Sequence, residues 1–239
     1  MLNYTTTVVS LGNLFPVATT DLGFQTALPN MIDDAEQYLY RTLDLLNTVA
    51  RDSSAAFTPG TRSFALPATN GTFYVVNSIY AITPAGQTSG DLGTRNYLTP
   101  ASRDFCDATF PSSVGSGVPQ YFSMTTQTSL IVAPWPDQAY QAEVVGTIRP
   151  MPLATTNVTT LLSVYFPDLW IAALMVFGAA YQQNFGAASV TDNPQMAVNW
   201  KTHLADLIVS AQTEEARKKF TGEGWSSKQP ASIATPPRT

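Results

Sequence analysis

The run LWIAALMVFGAA, residues 169–180, constrains the fold more than any other segment. It carries no charged or polar side chain, so as a helix it would be apolar on every side. Such a helix must be buried on several sides, and it is too short to cross a bilayer, which takes about 20 residues. Pro167 stands where the first turn of a helix accepts proline. The run therefore predicts a buried helix beginning near Pro167.

A second helix is predicted over residues 28–50, LPNMIDDAEQYLYRTLDLLNTVA. Apolar residues recur there at three- and four-residue intervals, which is the helical period. Asn30 or the residues just before Pro29 could cap it, and three acidic residues lie early, where the helix dipole favours negative charge. The predicted apolar face consists of Leu28, Ile32, Ala35, Leu39, Leu43, Leu46 and Ala50.

A third helix is predicted over residues 193–220, NPQMAVNWKTHLADLIVSAQTEEARKKF. Asp192 or Asn193 would open it before Pro194. We expect it to pair with the buried helix as a hairpin across the short connection between them. Its predicted apolar face consists of Ala197, Trp200, Leu204, Leu207, Ile208 and Ala211.

The middle of the chain, residues 51–149, changes to short segments rich in β-branched and aromatic residues. TFYVVNSIYAIT, PQYFSMT, TSLIVAP and YQAEVVGTI predict strands. Thr126 and Gln127 separate the middle two and predict a tight hairpin. Residues 84–118 are rich in Gly, Ser and Pro, and they form either an excursion with a short helix near 103–110 or a contact arm.

The stretch APWPDQAY, residues 133–140, packs two prolines, a tryptophan and an aspartate between two predicted strands. Its prolines bar a strand ladder from continuing, and Pro136 with Asp137 favours a turn. We interpret it as a bend between strands in preference to a ligand-binding loop, with Trp135 available for contact with a neighbouring protein.

Helices from both ends of the chain and strands from its middle predict an α+β fold. The expected organisation is a helical bundle with an inserted antiparallel β-layer and an extended C-terminal tail. The expected parts are an N-terminal segment with the first bundle helix (1–50), the β-layer with its long loop 84–118 (51–150), the helical hairpin (151–221) and the tail (222–239). The tail contains glycines, serines and prolines that cannot form a core.

The charge balance limits the partners of the chain. A net charge of −5 with only 12 Lys and Arg offers no basic surface for gripping nucleic acid. Charged residues make up 12% of the chain, about half the usual share. Much of the surface is therefore expected to be covered by partners; a neutral, Thr-rich surface without a partner is the alternative. Cys106 is alone, so neither an internal disulfide nor a cysteine-based metal site is expected, and an intracellular origin fits.

No set of residues predicts a reaction. His203 could act as a general base only beside a nucleophile, and the sequence has no recognisable nucleophile motif. We therefore interpret His203 as a residue at the edge of the apolar face of its helix. The acidic cluster of Asp33, Asp34 and Glu36 is explained by the helix dipole more simply than by a metal ion. Phosphate-binding glycine motifs are missing from the sequence. We therefore expect no catalytic residue, no metal and no cofactor.

A carbohydrate-binding or hydrolytic role remains as an alternative, because two catalytic acids can come from anywhere in a fold. Trp170 and Trp200 stand on apolar helix faces and are predicted to be core residues. Trp135 and Trp225 are left as candidates for recognition.

Three segments in order carry a resemblance to a known family: LPNMIDDAEQYLYRTLDLL, VPQYFSMTTQTSLIVAPWPDQAYQAEVVGTIRPMPL and NVTTLLSVYFPDLWIAALMVFGAA. An acidic helix opened by leucine-proline is followed by a strand ending in P-x-P-D, a strand ending in R-P-x-P-L and an aspartate-leucine helix. The chain resembles the head-to-tail adaptor proteins of tailed bacteriophages over roughly residues 25–220. A minor capsid or neck protein of another layer is a related possibility.

The resemblance implies a non-enzymatic virion protein at the head-tail junction, made in the host cytoplasm. Its copies, usually twelve, would form a ring that binds the portal protein on one side and a tail or nozzle protein on the other. Genomic DNA would pass through the channel without specific contacts, and no membrane would be involved. The family pattern does not require the segment from Ala85 to Val118.

The resemblance also assigns residues to contacts. The expected portal-binding tail contains Gly222, Gly224, Trp225, Lys228, Pro230, Ile233, Pro236, Pro237 and Arg238. Contacts with subunits or with the tail protein are expected at Trp135, Pro136, Asp137, Arg41 and Asp44. The basic residues Arg217, Lys218 and Lys219 would either simply end the helix favourably or offer charge to an acidic portal surface.

Overall fold

The computed structural model describes residues 2–15, 17–87, 89–181 and 194–222. For residues 180–181, 194 and 220–222 it describes the backbone only. The chain forms two compact units. The β unit comprises Met1–Thr19 and Asn47–Tyr165, and the helical unit comprises Thr20–Leu46 and Phe166–Thr239. With helices and mainly antiparallel sheets, the fold is α+β, as predicted.

The elements follow in chain order. The helices are α1 (Tyr4–Leu14), α2 (Leu22–Thr42), α3 (Arg103–Thr109), α4 (Leu161–Tyr165), α5 (Pro167–Tyr181) and α6 (Pro194–Gly222). The strands are β1 (Val49–Asp52), β2 (Ser63–Ala65), β3 (Gly71–Thr83), β4 (Thr94–Tyr97), β5 (Thr99–Pro100), β6 (Tyr121–Thr126), β7 (Ser129–Ala133) and β8 (Gln141–Pro150).

In the helical unit, α5 packs against both α2 and α6. Most of its side chains are buried, and Trp170 is fully buried, as the apolar run predicted. The predicted starts of α5 at Pro167 and of α6 at Pro194 are confirmed, while the proposed caps Asp192 and Asn193 lie outside the described residues.

The predicted bounds of α2 were wrong at both ends. The helix begins at Leu22, where Asp21 accepts a hydrogen bond from the amide of Phe24 at 2.8 Å, and Pro29 lies inside the helix. A proline deprives a helix of one backbone donor, and an effective cap with the buried Phe24 upstream outweighs that loss. The helix ends at Thr42, where Leu43 takes an extended backbone, and the predicted residues Val49 and Ala50 belong instead to edge strand β1, which pairs with β8.

In the β unit, the strands form two four-stranded sheets instead of one layer. Their orders are β1-β8-β3-β4 and β2-β7-β6-β5, and all pairings are antiparallel except the short one between β5 and β6. Apolar side chains from both sheets share one core. Its largest members are Phe57, Phe64, Phe73, Ile79, Leu98, Phe122, Leu130, Tyr140 and Ile148.

A hairpin, a short helix and a bend of this unit were considered in the sequence analysis. The hairpin between β6 and β7 is confirmed, with its turn one residue later, at Gln127 and Thr128. Of the two alternatives left open for residues 84–118, the one with a short helix is found, as α3 capped by Ser102. Residues 134–140 form the predicted bend, and they carry the chain from β7 in one sheet to β8 in the other.

Candidate interaction surfaces

Helix α6 exposes an apolar strip beside the face that it buries. Leu204, Ile208 and Ala211 are buried, whereas Val198 is 55% and Val209 62% exposed. At about 100° per residue, these two valines lie roughly a third of a turn from the buried face. The outer stripe, as we call the exposed apolar and threonine residues on this flank between positions 198 and 209, consists of Val198, Thr202, Ala205 and Val209.

The opposite flank of α6 is polar. Its exposed residues are His203, Asp206, Ser210, Glu214 and Arg217. The outer stripe has the same spacing signal as the buried face, but the sequence prediction chose the face with the larger side chains. Of the six predicted residues, Ala197, Trp200 and Leu207 are only partly buried.

The last turns of α6 form ion pairs within the helical unit. Lys218 contacts the carboxylates of Glu214 at 2.6 Å and Glu215 at 2.8 Å, and these hydrogen bonds raise the pKa of Lys218. Buried Glu215 also accepts a hydrogen bond from the amide of Leu46 at 2.8 Å. Lys219 pairs with Asp44. The two lysines are thus paired within their own chain.

A pocket opens beside these ion pairs. This α6-end pocket has a volume of about 260 Å³ and is lined by Thr42, Leu43, Asp44, Gln212, Glu215, Ala216 and Lys219. Asp44 and Lys219, which were predicted for separate contacts, meet here. Arg41 instead lies exposed on α2 and donates a hydrogen bond to the carbonyl of Gln37 at 3.0 Å.

Of the expected portal-binding residues, only Gly222 is described, as the last residue of α6. The remaining ones, Gly224, Trp225, Lys228, Pro230, Ile233, Pro236, Pro237 and Arg238, lie outside the described residues.

In the β unit, Trp135 connects the bend to α3. Its indole N–H donates to the carbonyl of Phe110 at 3.2 Å, and the guanidinium of Arg62 lies over its ring at 5.8 Å. Arg62 also pairs with Asp107 at 2.5 Å and lowers the pKa of that carboxyl. Trp135 is partly buried, and its polar edge and one face of its ring already make contacts within the chain.

The neighbouring bend residues are also engaged locally. Pro136 is buried, and Asp137 accepts a hydrogen bond from the hydroxyl of Tyr140 at 2.8 Å. We call α3, the residues that follow it and the bend the α3 corner. Its exposed apolar side chains are Phe105, 41% exposed, and Val114, 94% exposed. The sequence prediction missed both, because neither the short helix that holds Phe105 nor the loop that holds Val114 has enough apolar residues to show a period.

A four-membered ion network lies on the sheet that contains β1 and β8. The carboxylate of Glu143, whose side chain is 3% exposed, contacts Arg51 at 2.7 Å and Arg95 at 2.9 Å. Asp91 contacts the same two arginines at 2.9 and 2.6 Å. The network therefore fastens residues 89–93 to the strands.

This attachment should depend on pH. Hydrogen bonds from Arg95 and then Arg51 lower the pKa of Asp91. A lowered pKa in the folded chain means that the attachment is complete above the ordinary aspartate pKa of about 4 and is lost as the pH falls through the folded value. We expect the NMR amide signals of residues 89–93 to move in that acidic window. In the variant Asp91→Asn the signals should already be displaced at neutral pH and should lack that transition; a transition identical in both proteins would contradict the assignment.

Within the described ranges, no group of three His, Cys, Asp or Glu residues is placed to hold a metal ion. Across the same part of the chain, none of the helices combines the length and apolarity needed to cross a membrane.

Exposed helix and loop surfaces of this kind are typical of proteins that act by assembling with other chains. The chain belongs to the SU10 adaptor protein family, whose family model matches residues 4–224. It is thus a phage adaptor protein, in agreement with the resemblance found in the sequence. No curated protein matches it significantly.

Proposed function

We propose that the chain is a head-to-tail adaptor of the virion neck, made in the host cytoplasm. Its copies form a ring, of twelve by the family resemblance, beneath the portal protein. The ring connects the portal to a tail or nozzle protein and leaves a channel for genomic DNA. The role is structural, and no reaction is proposed.

The outer stripe of α6 is the observation that carries this proposal. Two valines that are more than half exposed on one helix flank leave apolar surface in water, which packing against another copy would remove. A ring needs a head-to-tail interface, in which one patch of each copy meets a different patch of the next. We assign the outer stripe as one of these two patches.

The tail, residues 222–239, is proposed to bind the portal, with Gly222 and Gly224 acting as a hinge at the end of α6. Each tail contact can be weak, because twelve tails on one ring bind with avidity. Arg217, Lys218 and Lys219 are proposed to offer positive charge to an acidic portal surface, and Lys218 and Lys219 also pair with carboxylates of their own chain.

The corner of α3 and the bend is proposed to contact a neighbouring subunit or the tail protein. Phe105 and Val114 provide exposed apolar surface there, and Trp135 with Pro136 and Asp137 holds the corner in shape. Arg41 and Asp44 stay proposed subunit contacts in the helical unit. DNA passage agrees with the net charge of −5, which disfavours tight binding to the phosphate backbone.

Among the described residues, the carbohydrate alternative gains no support at Trp135. A sugar platform needs an open aromatic face, and Arg62 already lies over the ring of Trp135.

The proposal is tested by mixing the purified chain with portal rings from its own genome and imaging the particles. The full chain should add a ring to the portal, and a chain truncated after Phe220 should not, because it lacks every tail contact. The truncated chain should keep its helical circular dichroism, which separates lost binding from lost folding. Absence of added density with the full chain would contradict the adaptor role, and equal binding by both chains would contradict the role of the tail.

A further inference from the structure

The α6-end pocket opens close to the residue where the described chain stops. Its lining includes the apolar side chains of Leu43 and Ala216. It also includes Glu215, Gln212 and the ion pair between Asp44 and Lys219. Apolar side chains beside hydrogen-bond acceptors suit an aromatic side chain that has one polar edge.

We propose that Trp225 of the same chain occupies this pocket. Helix α6 ends at Gly222, and Trp225 follows three residues later. From Ala216 to Gly222 the helix advances about 9 Å. Three extended residues span about 10 Å. If the chain reverses direction after Gly222, residue 225 can therefore come back to the level of Ala216. The indole can then reach the side of the pocket formed by Ala216 and Lys219.

The sequence at this point favours such a return. A glycine just past a helix end, followed by an apolar residue, is typical of the Schellman motif, in which the apolar residue packs on the last helical turn. Gly224 and Trp225 have this order after Gly222. Counting back from Trp225 places its contact at positions 219 and 220, and Lys219 lines the pocket. The indole N–H, which can only donate, would meet a carboxylate of Glu215 or Asp44.

Docking of Trp225 changes how the tail works. The tail would be anchored on its own subunit at Trp225, and only residues 226–239 would extend towards a partner. A shorter free segment explores less space, which raises its effective concentration near a binding site within reach. This consequence for the portal rests on the proposed function, whereas the docking itself does not.

The docking can be tested on the isolated full-length chain labelled with 5-fluorotryptophan. The chain has four tryptophans, and Trp225→Phe identifies the ¹⁹F signal of Trp225. We expect this signal to be shifted from its position in the urea-unfolded chain and to be protected from broadening by a water-soluble paramagnetic agent. Ala216→Gln, which fills the pocket from its wall, should remove both the shift and the protection. Ser210→Gln, on the polar flank of α6, should leave both unchanged.

Three results would overturn the proposal. One is a Trp225 signal at the unfolded position in the unmodified chain. Another is a shifted signal that Ala216→Gln leaves unchanged. The third is a shift that grows with protein concentration, which would mean that a second copy supplies the tryptophan. Portal binding by the Ala216→Gln chain, measured separately, would show that a failure of the docking leaves the adaptor role intact.

Discussion

Replacing Val209 by glutamate should prevent ring formation on the portal while the isolated chain stays folded. Val209 is 62% exposed in the single chain, so glutamate meets water there, and glutamate is a better helix former than valine. In the proposed ring the same position is buried against a neighbour, where an unpaired charge costs about 3 kcal/mol. That cost weakens each interface by roughly a hundredfold, and it recurs at every contact around the ring.

The matched control is Ser210→Glu, one residue along the same helix and on its polar flank. It makes the same change in net charge, so a general electrostatic effect would appear in both variants. Counting ringed portals by electron microscopy should show few with Val209→Glu and normal numbers with Ser210→Glu. Normal rings with Val209→Glu would exclude the outer stripe as a subunit interface.

Gly146→Ala should strongly destabilise the β unit. Gly146 lies in β8, where an added Cβ would stand 2.2 Å from the backbone carbonyl oxygen of Val75 and 3.1 Å from the ring of Phe73. Neither a backbone oxygen nor a core ring can move without shifting β3, whose pairing with β8 is already irregular beside this point. Overpacking of this kind costs about 3 kcal/mol.

Urea unfolding followed by near-ultraviolet circular dichroism measures this loss. Gly115→Ala is the control, because a Cβ at that loop position meets no atom within 4 Å. A midpoint for Gly146→Ala equal to that of Gly115→Ala would show that the two strands are farther apart than described.

Much of the fold could be predicted from local patterns. A helix that is apolar on all sides has to be buried, so residues 169–180 predicted both α5 and the burial of Trp170. Proline at the first turn marked the starts of α5 and α6. Alternating β-branched and aromatic residues predicted β3, β6, β7 and β8, because such residues fit a half-buried pleated surface. The family was also recognised from the order of these segments.

The start of α2 could not be predicted in the same way. Pro29 is a local signal for a helix boundary, yet the Asp21 cap and the burial of Phe24 carry the helix through it. Whether a proline ends a helix depends on how much free energy the residues before it gain by being helical. Part of that gain comes from packing against other segments.

The sequence by itself determined the class of the protein, the buried helix and the strands, since periodicity and side-chain volume act within a few neighbouring residues. Only the tertiary structure decided that β7 and β8 belong to different sheets, that Arg62 and Phe110 engage Trp135, and that Lys219 pairs with Asp44. These contacts join residues far apart in the chain. Their free energy depends on the path of the backbone between them, which no local pattern contains.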